Sequence, residues 1–153
     1  VNASVTGNFV AHYERSAFVG SKEILQIVNQ YQAQQVNADK VIDVRSQARF
    51  DGIEKETRAG LRSGHIPYSE NFPFTLLIEN GEFISETKQQ ALLKQYMTDS
   101  HNNFAFSCGS GVTACIVLLS AYMQGYENLS VYDGSWTDWG ANTELPVVEA
   151  HSN

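Results

Sequence analysis

The residues best suited to chemistry in this chain follow a short apolar run beyond its middle. Cys108 is followed by Gly109 and Gly111, and an apolar stretch over residues 114–123 begins shortly afterwards. Two glycines within four residues let the backbone turn so that several N–H groups point inward, and a helix beginning there adds the positive end of its dipole. Both effects favour thiolate over thiol, so the pattern predicts a reactive Cys108 with a lowered pKa.

Two other interpretations of this segment are open on the residues alone. One is a buried cysteine that opens a core helix, and the other is a site for a phosphate-like anion at the glycine-rich turn. Cys115 lies seven residues further on, inside the apolar stretch. We predict that Cys115 is a small core residue.

A cluster of basic residues lies between positions 45 and 62. It holds five of the ten cations of the chain, namely Arg45, Arg49, Lys55, Arg58 and Arg62. Planar guanidinium groups suit carboxylates and other oxyanions, so the cluster indicates a small anionic ligand such as an oxo-acid. The alternative is a solvated face on which these cations pair with Asp51, Glu54 and Glu56.

The overall composition limits the class of protein. The chain has 153 residues, 42% of them apolar, and its formal charge is −7, which disfavours nucleic acid and anionic membrane surfaces as partners. The apolar stretch over 114–123 is far shorter than the roughly 20 residues that cross a bilayer. With two cysteines and no four-ligand Cys/His spacing, we expect no disulfide framework, metal or other cofactor.

The elements that must position these residues alternate along the chain. Apolar periodicity predicts a helix over 22–32 with Ser21 as its N-cap, another helix from about Ser85, and a third over 114–123 that is covered on nearly every side. Short buried strands are predicted at residues 41–44, 104–106 and 129–132, with a long excursion of mostly loop after the first. This alternation predicts an α/β fold, with a parallel sheet flanked by helices on both faces.

We expect one domain over residues 8–141. Residues 1–7 are interpreted as a linker or truncated upstream connection, and residues 142–153 as a C-terminal tail. Because ligands bind at the carboxyl ends of strands in such sheets, the segments 43–45, 107–109 and 133–135 should meet at the site.

Six motifs carry a resemblance to a known family. They are Asp43-Val44-Arg45, residues 49–52, 64–67 and 71–74, the loop 108–113, and residues 132–139. Together, and in this order over about residues 8–141, they resemble the rhodanese superfamily, and in particular the catalytic C-terminal domain of the 3-mercaptopyruvate sulfurtransferases. The resemblance implies a rhodanese-like fold and an N-terminal rhodanese domain as a partner in the full-length chain.

The resemblance also implies a reaction and roles for residues. The thiolate of Cys108 takes sulfur from 3-mercaptopyruvate, pyruvate leaves, and a thiol acceptor such as thioredoxin, or cyanide, removes the sulfur. Arg49 and Arg58 correspond to the substrate arginines, and Ser110 to the serine that assists proton transfer. The remaining substrate-binding residues of the loop are Gly109, Gly111, Val112 and Thr113.

The residues of the same loop distinguish between members of the family. Thiosulfate-specific relatives carry cations at the two positions after the cysteine, whereas Gly109 and Ser110 are neutral here, which favours mercaptopyruvate. Phosphatases of related fold close their cysteine loop with an arginine, and residues 109–115 contain none. A persulfide carrier and a thiosulfate sulfurtransferase stay open as alternatives, and a cytoplasmic location is expected.

Other motif residues are interpreted as structural. Asp43 should hold Arg45 by a charge-assisted hydrogen bond, and His65 should be a hydrogen-bonded turn residue and not a base. Trp136 and Trp139 lie three positions apart, so a short helix would turn both rings inward.

Overall fold

The computed structural model describes residues 7–8, 10, 15–35, 38–97 and 103–149. In chain order the strands are β1 (Phe18–Val19), β2 (Lys40–Asp43), β3 (Glu70–Asn71), β4 (Ile78–Glu79), β5 (Glu82–Phe83), β6 (Phe104–Ser107) and β7 (Leu129–Tyr132). The α-helices are α1 (Ser21–Gln32), α2 (Gln47–Phe50), α3 (Glu86–Tyr96), α4 (Ala114–Met123) and α5 (Ser135–Trp139). Single 3₁₀ turns lie at Arg15–Ala17 and Phe74–Leu77.

Five of the strands form one parallel sheet in the order β1-β7-β6-β2-β3, and β4 and β5 pair as a separate antiparallel hairpin. Crossovers between parallel strands carry helices onto both faces of the sheet. The predicted α/β class and parallel sheet are therefore confirmed.

The central strands are apolar on both faces because each face is covered. Ile42 and Phe106 belong to the cluster beneath α3 and α4, whereas Val41 and Ala105 belong to the cluster beneath α1 and α5. Successive side chains of a strand point to opposite faces, so one short run supplies both cores. Because both faces of these strands are buried, continuous apolar runs without alternation predicted β2, β6 and β7 from the sequence.

Helix α1 begins one residue earlier than predicted. Gly20 is the N-cap, and the carboxylate of Glu23 accepts a hydrogen bond of 3.0 Å from its N–H. The predicted cap, Ser21, is instead the first helical residue. Glu23 supplies the return bond of a capping box, which does not require a serine at the cap itself.

Two predictions about α4 are wrong for the described domain. Its inner face is buried, with Ala114 and Ala121 fully inaccessible, but Tyr122 and Met123 are 70% and 53% exposed. Cys115 is also exposed and is not a core residue. The helix lies on the sheet and contacts α3, so only part of its circumference is covered. An almost wholly apolar composition does not show which side of a helix lacks a neighbour.

The long excursion is more structured than predicted. It contains α2, the edge strand β3 and the β4–β5 hairpin, and β1 at the other edge was also not predicted. These strands have two residues each, too few for a period to be read.

The segment after α5 packs back onto the domain. Val148 and His65 exchange two backbone hydrogen bonds of 3.0 Å, and Leu145 is 8% exposed. The predicted domain limits stay predictions, and residues 1–6 of the proposed linker lie outside the described residues. In the described part of the chain, no helix combines the length and apolarity needed to cross a membrane.

Candidate active site

The loop that carries Cys108 connects the end of β6 to the start of α4, at the carboxyl edge of the sheet. Gly111 has a φ of +80°, and a β-carbon there would lie 2.8 Å from the carbonyl oxygen of Asp133. Both its backbone angle and its close contact therefore require glycine. The loop curls around the sulfur, and Cys108 is only 1% exposed.

The environment of the thiol has opposing effects on its pKa. Burial raises the pKa of Cys108, but the side-chain hydroxyl of Thr113 and the backbone N–H groups of Ser110, Ala114 and Thr113 hydrogen-bond the sulfur. Together these bonds outweigh burial and bring the pKa of the Cys108 thiol below its usual value. Thr113 is the N-cap of α4, so the positive end of that helix faces the thiolate.

Ser135 holds the loop in this shape. Its Oγ accepts hydrogen bonds from the N–H groups of Cys108 (3.0 Å) and Gly111 (3.1 Å), and donates one to the carbonyl of Tyr132 (2.7 Å). The residue is fully buried and has a φ of +48°. Ser135 belongs to the segment 133–135 that was expected at the site, but no role was predicted for it, because a sequence does not show where a hydroxyl points.

Arg49 and Arg58 lie on the same small pocket beside the loop. This pocket has a volume of about 140 Å³ and is lined by Arg49, Glu56, Thr57, Arg58, Leu61, Gly109, Ser110 and Thr137. Arg58 donates to the Oγ1 of Thr137 (2.5 Å), which in turn donates to the carbonyl of Gly109 (2.6 Å). Thr137 therefore links one arginine to the cysteine loop, a contact that the sequence did not predict.

Arg49 is held by a buried carboxylate. Its Nη2 lies 2.5 Å from Oε2 of Glu56, and the same carboxylate accepts a bond of 2.8 Å from Arg45. Arg45 is also paired with Asp43 at 2.6 Å, and both side chains are 1% exposed. The predicted contact between Asp43 and Arg45 is present, and it extends through Glu56 to the pocket.

The structure thus separates the five clustered cations into different roles. Arg62 donates to the backbone carbonyls of Trp139, Gly140, Asn142 and Leu145, and so holds the segment after α5. Lys55 is exposed. Arg45 pairs with Asp43 and Glu56 inside the domain and not on a solvated face, whereas Arg49 and Arg58 line a pocket; an anionic ligand there stays a prediction.

The remaining predicted loop residues occupy distinct positions. Ser110 lines the pocket, whereas Val112 is 72% exposed. A β-carbon on Gly109 would lie 3.3 Å from Nη2 of Arg49, so this glycine lets the guanidinium lie close over the loop.

The motif residues interpreted as structural are packed and hydrogen-bonded. Nδ1 of His65 lies 2.8 Å from the carbonyl oxygen of Phe50, and the two rings stack. Trp136 and Trp139 are fully buried on α5, and Arg45 lies 4.3 Å from the centre of the Trp136 ring.

A larger cavity of about 390 Å³ lies at the opposite, amino end of the strands. Its lining includes Glu23 and Asp39, and none of its described residues is Lys or Arg. An anionic substrate is therefore better matched by the small pocket beside Cys108.

The domain has a parallel sheet flanked by helices, and the loop at the carboxyl edge of that sheet surrounds the Cys108 sulfur with backbone N–H groups. These two features define the class of the domain. Residues 23–142 match the family described as Rhodanese-like domain, and the chain belongs to that family. It is similar to thiosulfate/3-mercaptopyruvate sulfurtransferase 2 of Arabidopsis thaliana, with 46% identity over 72% of this chain and 33% of that protein.

Two further comparisons cover more of the chain. The 3-mercaptopyruvate sulfurtransferase of Escherichia coli (strain K12) is 36% identical over 88% of this chain and 48% of its own length. The sulfur transferase subunit in a yeast mitochondrial complex I structure superposes with a TM-score of 0.77 and 33% identity, over 92% of this chain and 49% of that one. The chain thus spans about half, or less, of the relatives it matches.

Proposed function

We propose that this domain is a sulfurtransferase that takes sulfur from 3-mercaptopyruvate onto Cys108. The observation that carries the proposal is a thiol with a lowered pKa beside a small pocket with two arginine side chains. The names of the Arabidopsis and E. coli relatives support the same activity. A core cysteine does not account for these two features, and the loop after Cys108 has no arginine of the kind that closes a phosphatase loop.

The proposed reaction is a displacement at sulfur. The Cys108 thiolate donates an electron pair to the thiol sulfur of mercaptopyruvate and forms a sulfur–sulfur bond. The carbon–sulfur bond breaks, and its electron pair moves into the enolate of pyruvate, which then takes up a proton. Cys108 is left as a persulfide.

The arginines would act on the substrate oxygens. In the proposal, Arg49 and Arg58 bind the carboxylate and the carbonyl oxygen, and the charge that develops on the enolate oxygen is stabilised by a guanidinium already in place. Ser110 would assist proton transfer from the substrate thiol. The backbone of Gly109, Gly111, Val112 and Thr113 would complete the cradle.

The finer parts of the proposal concern partners. A thiol such as thioredoxin, or cyanide, would accept the sulfur, and the location would be cytoplasmic. An N-terminal rhodanese domain would accompany this one in a longer chain, which is in keeping with relatives about twice its length.

The test is mass spectrometry after incubation with mercaptopyruvate. We expect one added sulfur, about 32 Da by atomic mass, on Cys108. Cys108→Ser should abolish the adduct. Cys115→Ser is the matched control and should keep the adduct, because the exposed Cys115 thiol lies outside the loop that surrounds Cys108. An adduct on Cys115, or none on Cys108, would contradict the proposal. A persulfide accepted from a partner but not from mercaptopyruvate would favour a carrier.

A further inference from the structure

Glu56 is a buried carboxylate on the wall of a pocket proposed to bind anions. Its side chain is 2% exposed, and it contacts two guanidinium groups, those of Arg45 and Arg49. A buried charge is costly, and a negative one here repels an anionic substrate.

One consequence of Glu56 is the placement of Arg49. Arg45 is fixed by Asp43, by the carbonyl of Gly64 (2.8 Å) and by the Trp136 ring, so it forms a rigid anchor. Glu56 joins Arg49 to this anchor through both Nη2 and Nε. In the described part of the chain, Nη1 of Arg49 has no hydrogen-bond partner and lies by Gly109, available to a substrate oxygen.

The other consequence is a reduced charge in the pocket. Three charged side chains line it among the described residues: Arg49, Glu56 and Arg58. Glu56 compensates Arg49, whereas the side-chain partner of Arg58 is the neutral hydroxyl of Thr137. The lining therefore carries one net positive charge, which matches a single carboxylate and not a dianion.

We propose that Glu56 determines the charge selectivity of this pocket, by fixing Arg49 and cancelling its charge so that monoanionic sulfur donors are preferred over dianionic ones. The inference rests on the proposed function and adds a residue that acts through Arg49, without contact to the reacting atoms.

The first test compares Glu56→Gln with Glu54→Gln. Both remove one negative charge from the same loop, but Glu54 is exposed, and among the described residues its carboxylate accepts a hydrogen bond from Ser46 and none from a guanidinium. We expect Glu56→Gln to raise the ratio of kcat/KM for thiosulfate to that for mercaptopyruvate about tenfold or more, because a short-range charge is removed. Glu54→Gln should leave the ratio within about twofold. Equal ratios in the two variants would overturn the inference.

A second test does not depend on turnover. In a Cys115→Ser background, the rates of Cys108 alkylation by iodoacetate, an anion, and by neutral iodoacetamide report the charge beside the sulfur. Glu56→Gln should raise the iodoacetate to iodoacetamide ratio about fivefold, and Glu54→Gln should not. The alkylation ratio does not depend on whether mercaptopyruvate is a substrate. A failure of the proposed role of Glu56 can therefore be distinguished from a failure of the proposed sulfurtransferase activity.

The variant Glu56→Asp keeps the charge but shortens the link to Arg49. It should preserve both ratios while raising KM for mercaptopyruvate about tenfold, because Arg49 is displaced. If circular dichroism shows that Glu56→Gln does not fold, Glu56→Asp still tests the inference. An unchanged KM for mercaptopyruvate in the folded Glu56→Asp protein, or an altered alkylation ratio, contradicts the inference.

Discussion

At the scale of single residues, the reactivity of Cys108 depends on whether hydrogen bonds outweigh burial. Burial raises the pKa of the thiol, and four bonds to the sulfur lower it. Three of those bonds come from backbone N–H groups, which no substitution removes cleanly. The fourth comes from the hydroxyl of Thr113, which makes Thr113 the position at which the balance can be tested.

We expect Thr113→Val to raise the pKa of Cys108 relative to the wild type, because a bond to the charged form is lost while burial remains. The thiolate is present above the pKa and is lost as the pH falls through it. At neutral pH the alkylation rate of Cys108 should therefore fall about three- to tenfold. The measurement is a pH profile of iodoacetamide alkylation in a Cys115→Ser background.

Thr113→Ser is the control for this experiment, since it keeps the hydroxyl and should retain the wild-type profile. A Thr113→Val profile that overlays the wild type would mean that the backbone N–H groups alone lower the pKa.

At the scale of elements, the site is assembled by contacts between the end of β7 and the loop after β6. Trp136 and Thr137 donate backbone N–H groups to the carbonyls of Cys108 and Gly109, at 3.0 and 2.9 Å. Ser135 adds the two bonds in the opposite direction. The beginning of α5 therefore acts as a template for the cysteine loop.

Ser135→Ala tests this template. It would leave the buried N–H groups of Cys108 and Gly111 without their acceptor, at a cost of about 1–3 kcal/mol in the free energy of unfolding. We also expect persulfide formation on Cys108 to slow, because the loop would lose its shape. Urea denaturation and the mass assay would measure the two effects.

Ser130→Ala is the matched control within β7. Its Oγ is also buried, and within the described residues its one hydrogen bond is long, 3.4 Å to the carbonyl of Phe104. Its effect on stability should stay within about 0.5 kcal/mol. Equal losses for the two serines would show that Ser135 contributes packing and not loop geometry.

The sequence predicted the elements whose patterns are local. The runs that became β2, β6 and β7, and the period of α1, are properties of neighbouring residues. The pairing of Asp43 with Arg45 also spans only two positions. The two glycines after Cys108 and the apolar stretch that follows them predicted the candidate loop, and the resemblance of the motifs implied the roles of its residues.

What the sequence did not predict depends on contacts between distant positions. Glu56 was treated only as a surface partner, whereas its carboxylate is buried against Arg45, which itself packs on Trp136 far along the chain. Cys115 was placed in the core because every neighbour in sequence is apolar, although α4 leaves that side uncovered. Both errors concern which side of an element is covered, which is decided by tertiary structure.

At the scale of the whole molecule, a chain with a formal charge of −7 places two arginine side chains, Arg49 and Arg58, on one small pocket. Two residues of the basic cluster make internal contacts: Arg45 pairs with Asp43 within the core, and Arg62 donates hydrogen bonds to backbone carbonyl oxygens. In the proposed function, the electrostatic attraction for a small anion would therefore be local and would depend on Arg49, Arg58 and the loop.

We expect the choice between the two sulfur donors to follow from this distribution of positive charge. Thiosulfate is a dianion without a carboxylate, and Gly109 and Ser110 provide no cation beside Cys108. We expect the domain to prefer mercaptopyruvate in kcat/KM by roughly a hundredfold, which corresponds to about 2.7 kcal/mol of differential transition-state stabilisation. Parallel turnover assays with the two donors and cyanide as acceptor measure the ratio, and a preference for thiosulfate would refute the argument from the neutral loop.

Adding charge to the loop should move the ratio toward thiosulfate. Ser110→Lys is preferable to a change at Gly109, because a β-carbon there would press on the Arg49 guanidinium at 3.3 Å. The lysine supplies a second net positive charge to the pocket, so the preference for mercaptopyruvate should narrow about tenfold or more. Ser110→Ala separates charge from the lost hydroxyl: it should slow mercaptopyruvate turnover without making thiosulfate a better donor. If Ser110→Ala raises kcat/KM for thiosulfate as much as Ser110→Lys does, then the loss of the Ser110 hydroxyl, and not the pocket charge, decides between the donors.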